Sequence, residues 1–184
     1  RALIASRSNL AAALADRDAL RAMAPGSLGR TFLDFAERRG IDVLALLESE
    51  HAMSRDYAQL DPIRQWLSDR LTVMHDLWHI LTGYDATPPG ESALMGFSLP
   101  QRANDRALPI FIAMSVVAGN MSATNAWEAI RRGRRAVYLP EERFEELLPL
   151  PLDDVRRRLR IDPPRVAHPG NVTDGMLVPE AIGA

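Results

Sequence analysis

Cysteine is absent from the 184 residues, which excludes disulfides, thiolate metal sites and cysteine nucleophiles. Lysine is absent too: all 22 basic residues are arginine. That rules out Schiff-base chemistry on a lysine amine. What remains is the guanidinium fork, suited to carboxylates and phosphates, although GC-rich codon usage produces the same bias with no site at all. An excess of charge is also lacking. A net charge of -2 provides no basic field for nucleic acid, which is not an expected partner. Long apolar runs are scarce: the longest, Leu108 to Ala118, contains Pro109 and stops at Gly119-Asn120, short of the roughly 20 residues a spanning helix needs. No stretch reads as a signal peptide. The chain is expected to be soluble or to lie on a membrane surface, and its start at Arg1 rather than methionine is expected of a segment of a longer protein.

What is present is ordinary globular material, 47% apolar and 25% charged, enough for one folded domain over residues 1–184. Apolar residues recur at helical spacing almost throughout, and no stretch alternates as a strand would. Leu10, Leu14, Leu20 and Met23 mark a first helix stopping at Pro25-Gly26. Ser27 is placed to cap a second that ends near Gly40, and a short third follows around Val43 to Leu47. Asp61 and Pro62 open a helix running through Ile63, Leu67, Leu71, Met74 and Trp78 to Gly83. Gly83 to Gly90, with its Pro-Pro pair, reads as a loop. Helical spacing returns over Glu91–Leu99, Asn104–Arg132, Glu141–Leu148 and Asp153–Leu159, before an irregular tail over 163–184. The expected fold is an all-α, single-domain bundle of about seven to eight helices.

The segment HDLWHILTGYDATPPGE, residues 75 to 91, carries the chemistry. Positions i and i+4 share a helix face, so His75 and His79 can address one ion. Asp76 is rotated by about 100° from His75 but precedes His79 by three residues, and can reach the same ion from the flank. Glu91 starts the next helix, which can fold back as a hairpin; a carboxylate in a first turn is favoured by the helix dipole. Two imidazoles with carboxylates form a donor set for zinc, iron(II) or manganese, and an open position would mark a catalytic ion. The same residues also fit a plain polar helix face, with Leu71, Met74, Trp78 and Leu81 opposite.

The string HD-x-x-H, eleven residues, then Glu91, with Thr82-Gly83 and Gly90 in place, resembles the coenzyme Q (ubiquinone) biosynthesis protein 4 family. A second similar block is Ala126-Trp127, Gly133-Arg134-Arg135-Ala136, Phe144, Leu147-Leu148, Pro151-Leu152, Val155-Arg156 and Leu159 to Ile161. The likeness runs over about residues 60–162 and leaves 1–50 unassigned. It implies a helical, usually dimeric protein in which His75, Asp76, His79 and Glu91 bind zinc or a similar divalent ion. The activity implied is oxidative decarboxylation at ring carbon 1 of a polyprenylated 4-hydroxybenzoate-type precursor, alongside other ubiquinone-biosynthetic enzymes. The implied location is a bacterial inner membrane's cytoplasmic surface, or the matrix face in a mitochondrion.

Two other functions fit the residues less completely. A non-catalytic scaffold would use the metal to pin two helices and hold an isoprenoid lipid against Leu94, Met95, Phe97, Leu108, Ile110, Phe111, Met114 and Val117, which also suit a plain core. An HD-type phosphohydrolase would recruit His51 but leaves His79 and Glu91 without a role. Arg70 could steer an anionic substrate or form a surface pair. Arg131, Arg132, Arg134 and Arg135 could grip an anion or headgroups, or simply close a helix C-terminus. His51 and His168 stand apart from the motif.

Overall fold

In the computed structural model, which describes residues 8–102, 105–166, 168 and 170, the first expected helix is two helices, α1 (Leu10–Ala15) and α2 (Arg17–Ala22). Asp16 makes the break: its carboxylate accepts from Ala19 N–H at 3.0 Å and caps a fresh helix. Such local bonding is how aspartate competes with helix continuation. Leu10, Leu14 and Leu20 are nonetheless all buried.

The chain gathers into two compact units, Arg1–Leu77 with Pro140–Val155, and Trp78–Leu139 with Arg156–Ala184. In the first, α3 (Leu28–Arg39) starts at Ser27, whose hydroxyl accepts from Arg30 N–H, and stops at left-handed Gly40. It buries Phe32, Leu33, Phe35 and Ala36. Asp42 caps α4 (Val43–Met53) by accepting from Leu44 and Ala45 N–H. Asp61 does the same for α5 (Pro62–Thr82) through Ile63 and Arg64 N–H, with Pro62 where no N–H is required. The helix expected over Glu141–Leu148 contracts to a 3-10 turn, Leu139–Glu141, and α9 (Phe144–Leu147); α10 (Leu152–Leu159) follows. The start of α3 is tied to this segment by backbone bonds from Leu28 N–H to Leu150 O and from Gly29 N–H to Leu148 O. Gly29 permits the approach, since a Cβ there would meet Met23 Sδ and lie 3.2 Å from Leu148 Cβ.

In the second unit, α6 (Pro88–Ser98), α7 (Ala107–Val117) and α8 (Ala123–Arg135) pack on one another, α6 most extensively on α8. The stretch expected to be helical from Asn104 to Arg132 is divided by Gly119, whose φ of 78° no helix continues; Asn104 itself lies outside the described residues. Helices α6 and α8 approach closely because Gly96 and Gly133 lack side chains: a Cβ on Gly133 would strike Phe97 O, and one on Gly96 would stand 3.0 Å from Ala129 Cβ. Buried Gln101 bridges the gap beyond, donating to Gly133 O at 2.8 Å and accepting from Leu139 N–H at 2.9 Å. Among the described residues the structure is all-α with no strand, and Ser27 forms an isolated antiparallel bridge with Pro151.

Candidate metal centre

His75 and His79 lie one turn apart on α5, and the chain turns back at Gly83, whose φ of 73° ends the helix. The Pro-Pro pair is not in the loop, as the sequence implied. Pro88 and Pro89 open α6, capped by Thr87, whose hydroxyl accepts from Gly90 N–H. Proline is well placed there because first-turn N–H groups have no helical acceptor. The connection is shortened to Gly83–Thr87, and Glu91 falls in the first turn of α6.

The distal part of α5 is not a polar stripe opposite an apolar one. Leu77, Trp78, His79, Ile80 and Leu81 are all buried, and His79 is only 1% exposed. A buried imidazole is costly unless both nitrogens are satisfied. Its Nδ1 lies 3.0 Å from Tyr84 O. A carbonyl can only accept, so Nδ1 carries a hydrogen, and in the neutral ring Nε2 is then the nitrogen with the lone pair. Nε2 in turn lies 3.1 Å from Glu91 Oε1. One ligand atom each from His75, His79 and Glu91 falls within 4.8 Å of the other two. Asp76 is outside that set; its Oδ1 stands 3.8 Å from His75 Nδ1. The Glu91 side chain is 34% exposed against 1% for His79, so the cluster has a buried imidazole floor and an open carboxylate side.

These residues fit a divalent ion. A histidine that donates its second ring N–H to a carbonyl has the outer-sphere arrangement of metal-binding imidazoles, and N,N,O donors suit zinc, iron(II) or manganese with a coordination position left open.

The other residues marked in the sequence are committed elsewhere. Arg70 is buried and forms a pair: it donates to Glu145 Oε1 at 2.6 Å, Oε2 at 3.2 Å and Glu142 O at 2.7 Å. Burial pushes the Glu145 carboxyl up, but its bonds to Arg70 outweigh this and hold it below its ordinary value. His51 Nε2 is 2.7 Å from Asp69 Oδ1, and its ring stacks on Tyr57. Loss of hydration and the bond to Asp69 push the Tyr57 phenol up to about 12. His168 Nδ1 accepts from Gly170 N–H at 2.9 Å. Within the arginine cluster, Arg134 and Arg135 are exposed, whereas Arg132 is buried and donates to Thr82 O at 2.7 Å and Asp162 O at 2.6 Å. The apolar set expected to line a lipid groove divides: Leu94, Phe97 and Leu108 are core, while Ile110, Phe111, Met114 and Val117 are exposed on α7. The Tyr84 carbonyl carries no motif by which sequence reasoning could have found it, and Arg132 and Arg156, though marked in the sequence, gave no sign there of being partners to α5 carbonyls.

Residues 1–165 match the model of the family described as Coenzyme Q (ubiquinone) biosynthesis protein Coq4, a match that includes the first 50 residues. The mitochondrial ubiquinone biosynthesis protein coq-4 of Neurospora crassa is 25% identical over 79% of this chain and 41% of its own length. The mitochondrial ubiquinone biosynthesis protein COQ4 of Yarrowia lipolytica is 27% identical over 89% of this chain and 62% of its own. The chain therefore spans about half the length of these curated relatives. The crystal structure of a candidate ubiquinone biosynthesis protein of Nostoc punctiforme shares the fold, with a TM-score of 0.59 over 88% of this chain and 74% of that one, at 21% identity.

Proposed function

The chain belongs to the Coenzyme Q (ubiquinone) biosynthesis protein Coq4 family, and we propose that it holds one divalent ion on His75, His79 and Glu91 and acts in the oxidative decarboxylation, at ring carbon 1, of a polyprenylated 4-hydroxybenzoate-type precursor. The observation that supports this most is the orientation of His79, with Nδ1 toward Tyr84 O and Nε2 toward Glu91.

When bound, the ion supplies Lewis acidity against the charge that develops as the carboxyl group leaves. Zinc, the metal implied by the family likeness, and iron or manganese all suit the donors. His75 and His79 serve as neutral ligands, the latter held in one tautomer by the Tyr84 carbonyl. Glu91, half-exposed in the first turn of α6, is the group placed to exchange a proton with substrate or water. Asp76, beside His75, orients that ring or joins the ligands when the ion enters. The bond from ring carbon 1 to the carboxyl carbon breaks and carbon dioxide departs, the ring carbon takes a hydroxyl group from water, and two electrons and two protons pass to an acceptor of the dioxygen class, which leaves as hydrogen peroxide.

A second role is favoured by one specific feature. Helix α7 exposes Ile110, Phe111, Met114 and Val117 with no charge among them, and among the described residues no helix is long and apolar enough to cross a membrane. Such a face suits an isoprenoid tail or a bilayer surface, where the protein would also organise neighbouring ubiquinone-biosynthetic enzymes as a dimer. The two roles separate in one experiment. Purified protein is assayed for metal content and for release of carbon dioxide from the prenylated precursor, with His79→Ala alongside. Turnover lost with the metal supports the enzyme; full turnover in a folded, metal-free variant refutes the site.

A further inference from the structure

A helix leaves its last four carbonyls without helical partners, and at the end of α5 each is accounted for. His79 O accepts from Gly83 N–H at 2.9 Å. Ile80 O and Leu81 O accept from Arg156 at 2.9 and 3.1 Å. Thr82 O accepts from Arg132 Nη2 at 2.7 Å. Two guanidinium groups from α8 and α10 therefore close the helix that carries the histidines, and their charge complements the negative end of its dipole.

Arg132 does more than fill a carbonyl. Its guanidinium carbon stands 4.8 Å from the centre of the Tyr84 ring, and its other bonds run to Asp162 O. The turn from Thr82 to Tyr84 is thus held at both ends, by its first carbonyl and by its last ring. Between them, Tyr84 N–H faces the Thr82 hydroxyl, which itself donates to Trp78 O at 2.7 Å. The product of this turn is the Tyr84 carbonyl, directed at His79 Nδ1. Arg132 is itself buried, so the grip is shielded from competing water.

We propose that Arg132 is a positioning residue for the candidate metal centre: by clamping the Thr82–Tyr84 turn it aims the Tyr84 carbonyl at His79 and keeps that ring in the tautomer whose Nε2 can bind a metal. The proposal deepens the metal-binding function above and rests on it for its consequence, although the tautomer itself is a property of the metal-free protein. Lysine in place of Arg132 keeps a positive charge but lacks the planar fork that spans Thr82 O and Asp162 O while lying over the Tyr84 ring.

The test uses the full purified chain as wild type, Arg132→Lys, Arg132→Gln and Arg156→Gln. Long-range nitrogen–proton correlation spectra of the metal-free proteins read the His79 tautomer, zinc affinity is measured by competition with a coloured chelator, and thermal melts report folding. In wild type His79 carries its proton on Nδ1; both Arg132 variants show a mixture and bind zinc about 10- to 100-fold more weakly. Arg156→Gln, which leaves Thr82 O held, shifts the tautomer less. A wild-type ring protonated on Nε2 overturns the proposal without any variant, as do folded Arg132 variants with unchanged tautomer and zinc affinity. A wild type that binds no divalent ion, yet shows the tautomer following Arg132, overturns the metal-binding function and leaves the clamp standing.

Discussion

His79 Nε2 faces Glu91 Oε1 at 3.1 Å while its Nδ1 faces Tyr84 O at 3.0 Å. A buried imidazole held between an acceptor it must donate to and a carboxylate beyond is a ring whose Nε2 and nearest anion share one small space, which a cation would fill. His79→Ala is expected to abolish stoichiometric zinc binding, and Glu91→Gln to weaken it by more than about 100-fold, since loss of a direct ligand exceeds loss of an outer-sphere partner. Metal analysis after dialysis checks both. His79→Ala also leaves the Tyr84 carbonyl without this donor, so the metal-free variant should be less stable by about 1–3 kcal/mol. Zinc retained at full stoichiometry in either variant would remove the basis for the site.

Gly90 immediately precedes Glu91, and a Cβ at this position would collide with Asp85 O and Asp85 Oδ1. Asp85 cannot easily yield, because its Oδ1 accepts from Thr87 N–H and from the Thr87 hydroxyl, and its own N–H donates to Gly170 O. Gly90→Ala should therefore displace the first turn of α6, lowering zinc affinity and costing about 1–3 kcal/mol of stability by overpacking. Chelator competition and urea titration together test it: a variant with unchanged zinc affinity shows that the position of Glu91 does not depend on this turn.

The parts of this fold visible in the sequence are those settled within one turn of chain. Ser27, Asp61, Gly40 and Gly83 cap or stop helices through contacts a few residues long, and each acts where its residue type indicated. Pro88-Pro89 was ambiguous because proline suits both a loop and a helix start, and the choice falls to Thr87. In the site, the spacing of His75 and His79 follows from helix geometry alone. The Tyr84 carbonyl has no side-chain signature, and the bonds that fix it come from Arg132, 50 residues away, while Arg156 reaches back 75 residues to Leu81. Arginines that ordinarily read as solvated surface are here spent on backbone carbonyls, which only tertiary packing reveals. The burial of His79 was hidden for the same reason, since α5 is covered there on faces the local pattern leaves open.

Arg70 and Glu145 form a pair in which the arginine is 3% exposed. Replacing Arg70 by Met leaves the carboxylate half-buried and unpaired, and should cost on the order of 3 kcal/mol. The pH dependence has a definite sign. Glu145 lies below its ordinary 4.5 in the folded chain, so its contribution is present above pH 4.5 and is lost as pH falls through the lower folded value. In Arg70→Met the desolvation that raises this carboxyl acts without the bonds and charge of Arg70, and that loss should shrink or reverse. Melting temperatures of wild type and variant between pH 3 and 6 distinguish the cases; parallel curves would show that the pair carries no linkage.

The exposed face of α7 sets the last expectation. Ile110, Met114 and Val117 are 68%, 61% and 83% exposed, so they add little to folding, and charges there should alter stability by no more than about 0.5 kcal/mol. If this face enters a bilayer surface, each apolar side chain removed from water contributes about 1.5–3 kcal/mol to association. The double variant Ile110→Glu with Met114→Glu should then bind vesicles of phosphatidylglycerol and phosphatidylethanolamine at least about 10-fold more weakly than wild type, at an unchanged melting temperature. Co-sedimentation at high and low salt separates this apolar contribution from attraction between anionic headgroups and exposed arginines such as Arg134 and Arg135, because only the latter is screened. Equal sedimentation of variant and wild type at high salt would assign the face to something other than lipid.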